Sequence, residues 1–152
     1  MAEANKAETI RKIFAAYLSN DRQFVENAFS EDFRFTSPFD DNVDKATYFA
    51  RCWQNSDWIE RHELERILVD GDQAFVTYRC TAKGGKSFRN TEFFVFDGDK
   101  VKRIDVYFGA AYQDGRPDRR GGEAGCNSER SISHADKFKC RWTVEIAARP
   151  FA

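Results

Sequence analysis

The residues best suited to chemistry fall in two neighbouring stretches. Thr77 and Arg79 stand in QAFVTYRCTA, and Asn90 and Glu92 stand in SFRNTEFFVF. Gly84-Gly85 lies between them. Read as a two-residue turn, it sets Arg79 opposite Asn90, Thr77 opposite Glu92 and Phe75 opposite Phe94. Opposed residues share a sheet face, so these side chains form one cluster. Two readings of it stand open. Surrounded by Phe35, Trp53, Phe75 and Phe94, the Glu92 carboxyl would be desolvated and its pKa raised, which suits a general acid or base. Beside Arg79 it would instead form an ion pair that lowers its pKa, with Asn90 hydrogen-bonding between strands.

The remaining polar candidates have plainer readings. Tyr17 reads as core packing or as a group that orients a ligand. His62, within Glu60-Arg61-His62-Glu63, reads as a rim residue or as an acid/base group. Asp40 and Asp41 read as turn and cap residues, and Arg119-Arg120 as solvated charge. Cys52 and Cys80 sit in apolar stretches and read as small core residues. A Cys126–Cys140 disulfide has only weak support in a chain with no export signal. The four Cys form no C-x-x-C pair and only two His exist, His62 and His134, so no metal site is expected.

These residues need elements to position them. Ile10, Ile13, Phe14, Tyr17 and Leu18 make one helical face from about Ala7 to Leu18. Asn20 or Asp21 can cap a short second helix, with Phe24, Val25, Ala28 and Phe29 inward. Phe33 to Thr36 alternate as a strand, and Pro38 with Asp40-Asp41-Asn42 reads as a loop. Asp44 caps a third helix that turns Tyr48, Phe49, Cys52 and Trp53 inward. The period then changes from 3.6 to 2. Strands are expected over 60–69, 73–82, 88–96 and 101–109, joined at Asp70-Gly71-Asp72, Gly84-Gly85 and Asp97-Gly98-Asp99. A three-residue loop at the last puts Ile104, Val106 and Phe108 with Glu92, and Val76, Tyr78, Phe93, Asp105 and Tyr107 on the other face. Three helices followed by an antiparallel meander make an α+β domain. Both faces carry large apolar groups and the helices cover one, so a homodimer through the outer sheet face is expected.

A chain of 152 residues holds one ordinary domain, and its 15 Phe against a single Met point to a core of rigid rings. The net charge of −1 argues against a nucleic-acid module and leaves no polybasic membrane patch. No apolar run is long enough to span a bilayer, and MAEANKAETIRK lacks the apolar core of an export signal, so a cytoplasmic address is the default. The main domain is expected over 1–112 and a flexible basic linker over 113–130, where little can be buried. In the extension 131–152, Phe138, Cys140, Trp142, Val144 and Ile146 alternate as an extra strand, with a helix after Ser133 competing. Residues 116–152 carry +3 and the rest −4.

Residues 6–112 resemble the SnoaL-like branch of the NTF2-like superfamily. The carriers are FAAYLSND, FSEDFRFTSPFDD, ARCW, SFRNTEFFVFDGDKV and IDVYFG, in this order and spacing. The resemblance implies an NTF2-like (cystatin-like) cone, a curved antiparallel sheet wrapped around three N-terminal helices. It also implies an apolar pocket and dimers through the outer sheet. Members include ketosteroid isomerase, polyketide cyclases, epoxide hydrolases and non-catalytic binders, so fold alone does not fix function. Ketosteroid isomerase, whose pKa tuning is a standard worked case, has an Asp-Pro base where Ser37-Pro38 stands here. Its tyrosine falls near Ile13 or Phe14, one turn before Tyr17, and its second acid matches Glu92. The Arg-x-Asp pair of limonene-type epoxide hydrolase matches Asn90-Thr91-Glu92, with Arg79 able to supply the guanidinium from the next strand. A cyclase needs a single acid, which Glu92 can be.

The expected enzyme is therefore cofactor-independent and acts on a small apolar substrate with a carbonyl or epoxide. Glu92 would transfer the proton, while Arg79, Asn90 and Tyr17 orient the substrate or stabilise charge. Phe14, Phe35, Ser37, Trp53, Phe75, Phe94 and Phe108 would line the pocket. The alternative is a non-catalytic dimeric module that holds a small hydrophobic molecule or a partner chain.

Overall fold

A computed structural model describes residues 2–117. Helix α1 spans Ala2–Ser19 and α2 spans Arg22–Ala28. The Asp21 side chain caps α2 by accepting from the Phe24 amide at 3.1 Å. Strand β1, Phe29–Ser37, turns through Pro38-Phe39 into β2, Asp40–Asp44. The Asp40-Asp41-Asn42 stretch expected as a loop is thus the start of a strand. The Ser37 hydroxyl accepts from the Phe39 and Asp40 amides and tightens the reversal. Asp44 caps α3, Lys45–Arg51, through the Thr47 amide at 2.8 Å. A 3-10 segment, Trp53–Trp58, leads to β3, Ile59–Asp70. Then follow β4, Gln73–Ala82; β5, Ser87–Asp97; β6, Lys100–Gln113; and the short β7, Arg116–Pro117.

The sheet runs β2-β1-β6-β5-β4-β3, with β7 on β6. Every pairing is antiparallel except β1 with β6, which is parallel. Local turns can join only antiparallel neighbours, so the one parallel pair joins segments far apart in the chain. Its apolar inner face packs on the helices, with Phe29, Phe33, Phe94, Val76, Val101 and Ile10 fully buried. No helix of the described residues is long and apolar enough to cross a membrane. Strand β6 continues to Gln113, and the return at Arg116–Pro117 lies within the stretch expected as linker. Residues 118–152, with Cys126, Cys140, His134 and the alternating 138–146 segment, lie outside the described residues.

One loop decides which side chains face inward. Ala82 donates its amide to the Lys86 carbonyl at 2.8 Å, so the β4–β5 loop holds three residues, Lys83-Gly84-Gly85. Gly84 and Gly85 sit at φ of +107° and +84°, a backbone region that favours glycine. The register moves by one from the two-residue expectation: Tyr78 opposes Asn90, Val76 opposes Glu92 and Ala74 opposes Phe94. A slip of one exchanges the two faces of a strand. Phe75, Thr77 and Arg79 therefore point away from Glu92, and Val76 and Tyr78 toward it. The β5–β6 turn holds two residues, but a bulge after Val101 restores the expected parity. Val106 opposes Glu92 and Ile104 opposes Phe94, and Asp105 opposes Phe93 on the other face.

Candidate functional site

Glu92 lies mid-strand on β5, facing inward between Val76 and Val106. Asn90 and Phe94 flank it along the strand. Its Oε1 accepts the Tyr78 hydroxyl at 2.8 Å, and Tyr78 in turn accepts from Asn90 Nδ2 at 3.3 Å. Asn90 Oδ1 is held by the Gly109 amide at 3.3 Å. The amide orientation, and with it the whole chain of bonds, is fixed from the backbone of β6. Burial raises the Glu92 pKa to about 7, opposed only by the Tyr78 hydrogen bond. Burial and the facing carboxylate push Tyr78 well above the usual tyrosine value, so its proton stays. Cys80, on the same face, is pushed to about 12 by burial and then by Glu92. Its thiol is no nucleophile in this state.

His62, from β3, faces the same interior. Its ring lies 5.2 Å from Phe14, 5.6 Å from Tyr78 and 5.9 Å from Tyr17. Burial lowers its pKa to about 4, against a hydrogen bond to the Phe14 backbone, and Nδ1 has no hydrogen-bond partner. Tyr17, His62, Glu92 and Phe108 each keep partial exposure. The arrangement is a carboxyl near neutrality in its proton affinity, held by one fixed donor, with rings around it. Such a group can give or take a proton near pH 7.

The structure brings together Glu92, Asn90, Phe14, Phe94 and Phe108, but not all the other candidates. Arg79 is exposed on the convex face, opposite Arg89, and forms no pair with Glu92. Phase error in the hairpin is the reason. Phe75 is 47% exposed and packs on Phe93 on that convex face, so it lines nothing inside. The Tyr17 hydroxyl donates to the Cys52 carbonyl at 3.2 Å while its ring packs on Trp53. Trp53 is buried and donates its indole N–H to Asn20 Oδ1 at 2.8 Å. Phe35 packs on Tyr48, and Ser37 is buried in the β1–β2 turn with its hydroxyl 3.4 Å from Asp40 Oδ2. Asp40, read as a turn residue, is also buried and meets Arg51 at 3.5 Å.

Tyr78 was missed by the sequence reading, and a signal for it exists. Ala74, Val76, Tyr78, Cys80 and Ala82 form the less polar parity of β4, whereas the other carries Gln73, Thr77, Arg79 and Thr81. Weighing the two parities would have outvoted the turn-length assumption. Among the described residues no group of three His, Cys, Asp or Glu could hold a metal ion.

A family model described as the SnoaL-like domain matches residues 10–104. No curated protein matches the sequence. Solved structures do. An NTF-2 like protein of unknown function from Burkholderia xenovorans superposes with a TM-score of 0.61 at 16% identity, over 84% of this chain and 99% of that one. Bal32a, from a soil-derived mobile gene cassette, gives 0.56 at 21% identity, over 71% and 92%. A de novo designed protein with a curved β-sheet gives 0.60 at 17%, over 70% and 86%. At these identities the likeness speaks for the fold.

Proposed function

This chain belongs to the SnoaL-like domain family and has the NTF2-like fold, and on that premise we propose that it holds a small, ring-sized apolar molecule against Glu92. Glu92 exchanges a proton with the polar end of that molecule. The reaction class is cofactor-independent isomerisation, cyclisation or hydrolysis. One observation carries the reading: the carboxyl faces inward among Val76, Val106 and Phe94, with Tyr78 as its hydrogen-bond donor. Desolvation keeps it near half-ionised at neutral pH, where both transfer directions are open. Tyr78 and Asn90 hold the carboxyl in place, and Phe108 with the edge of Phe14 supplies an apolar wall.

Titration of Glu92 by carbon-detected NMR tests this. A midpoint near pH 7 is expected, moved by apolar ring-sized ligands that also raise Tm. A midpoint at or below the ordinary glutamate value removes Glu92 as a general acid. A Tm that responds to no such ligand removes the binding reading as well.

A second reading is favoured by the convex face. Leu68, Phe75 and Tyr107 are 66%, 47% and 58% exposed there, and Leu68 pairs with Phe75 across β3–β4. A stripe of this kind suits a second copy of the chain, as a dimeric module with or without catalysis.

A further inference from the structure

Glu92 has no opposite charge to answer it. Its neighbours by register on the inner face are Val76, Val106, Asn90 and Phe94. The titratable groups facing the interior are Tyr78 and Cys80 from β4, His62 from β3, Tyr17 from α1, Tyr48 and Cys52 from α3 and its C-terminal end, and Asp40 from β2; β6 offers Ile104, Val106 and Phe108. None of these is a cation at neutral pH, since His62 titrates near 4. The nearby arginines are engaged elsewhere or turned away. Arg51 meets Asp40, Arg89 meets Glu65 and Arg103 meets Asp105, while Arg79 is exposed on the convex face. Glu92 forms no salt bridge among the described residues, and Tyr78 is the donor to its Oε1. Glu92 as a residue keeps partial exposure, while its carboxyl is desolvated by burial.

From this geometry we propose that the site takes a ligand bearing a protonated amine on a ring-sized apolar body. The inference rests on the reading of Glu92 as the inward-facing group of a ligand site. Folding has already stripped water from the carboxylate, so an arriving ammonium recovers charge pairing without a second desolvation of Glu92. The rings of Phe14, Tyr17 and Tyr78 cluster around His62 at 5.2–5.9 Å, and Tyr17 keeps partial exposure, where an aromatic ring attracts a cation. A carbonyl or ether oxygen is served only by the protonated fraction of Glu92, and a hydroxyl can donate to the carboxylate but brings no charge to pair with it. A carboxylate ligand meets like charge with no cation to offset it. Binding the ammonium below the Glu92 midpoint releases one proton to solvent, from the carboxyl.

Three probes of one size separate the classes: benzylamine, benzyl alcohol and benzoate, titrated into the full chain and followed by NMR shift changes and calorimetry. Benzylamine is expected to bind tightest and to gain about tenfold in affinity from about pH 6 to about pH 8, as Glu92 ionises. Glu92→Gln should erase both the preference and the pH response while benzyl alcohol binding survives. Benzyl alcohol or benzoate binding as well as benzylamine at about pH 8 overturns the amine inference and leaves the ligand site standing. If none of the three binds, the site itself is overturned. The pH series on the unaltered protein decides the matter where the variant does not fold.

Discussion

Glu92 and His62 respond to the same interior in opposite ways, and together they shape the pH dependence of stability. Burial raises Glu92 from 4.5 to about 7, so between those values the folded state holds the proton that the unfolded chain has lost. That contribution is present at low pH and fades as pH rises through the folded value. Burial lowers His62 from 6.5 to about 4, so there the unfolded chain binds the extra proton. That contribution is present above 6.5 and fades as pH falls toward 4. The windows overlap, and the two slopes, each about 1.4 kcal/mol per pH unit, oppose one another. Urea unfolding should therefore give a nearly flat profile between pH 4.5 and 6.5. Glu92→Gln should leave stability rising with pH across that window, and His62→Gln should leave it falling. Parallel slopes in both variants would refute the pairing of these shifts with burial.

At the scale of elements, a second bulge in β6, where Asn90 opposes Phe108 but Phe88 opposes Ala111, brings the Gly109 amide to the Asn90 side chain. Gly109 passes so close to β5 that a Cβ there would meet the Arg89 backbone carbonyl. Backbone cannot yield as a side-chain tip does, so Gly109→Ala should cost about 2 kcal/mol or more in chemical denaturation. The Asn90 side-chain amide resonances should shift as well, since Gly109 is its partner. Much of this level was legible in the sequence. The Asp21 and Asp44 caps, the changes of period and the long strands follow from local chemistry, and so does the inward parity of β5. The β4 parity was not legible from its turn, because a Gly-Gly pair closes a two-residue or a three-residue loop equally well. That one residue moved Arg79 out and Tyr78 in. The polar partner of Glu92 was therefore misread, while the inward face of Glu92 follows from the parity of β5 alone. Asp40 closes the β1–β2 turn as a turn residue should, but its burial depends on α3 folding back over β2, which no local pattern encodes.

For the molecule as a whole, the convex stripe of Leu68, Phe75 and Tyr107 makes an assembly prediction. If two copies pack there, Phe75→Lys should shift the sedimentation coefficient from dimer to monomer and leave the Glu92 titration unchanged. A monomer before the change, or a dimer after it, removes this face as the interface. The strand order has a further consequence for how the chain is made. Strand β1 pairs in parallel with β6, about 70 residues later, so the contact closes a long loop and forms late. A ribosome delivers β1 well before β6, and through that interval the edge of β1 that β6 later pairs stays open. Such an edge is what a holding chaperone recognises. Newly made chains should depend on one until β6 emerges, whereas the finished protein, with β1 enclosed between β2 and β6, should not.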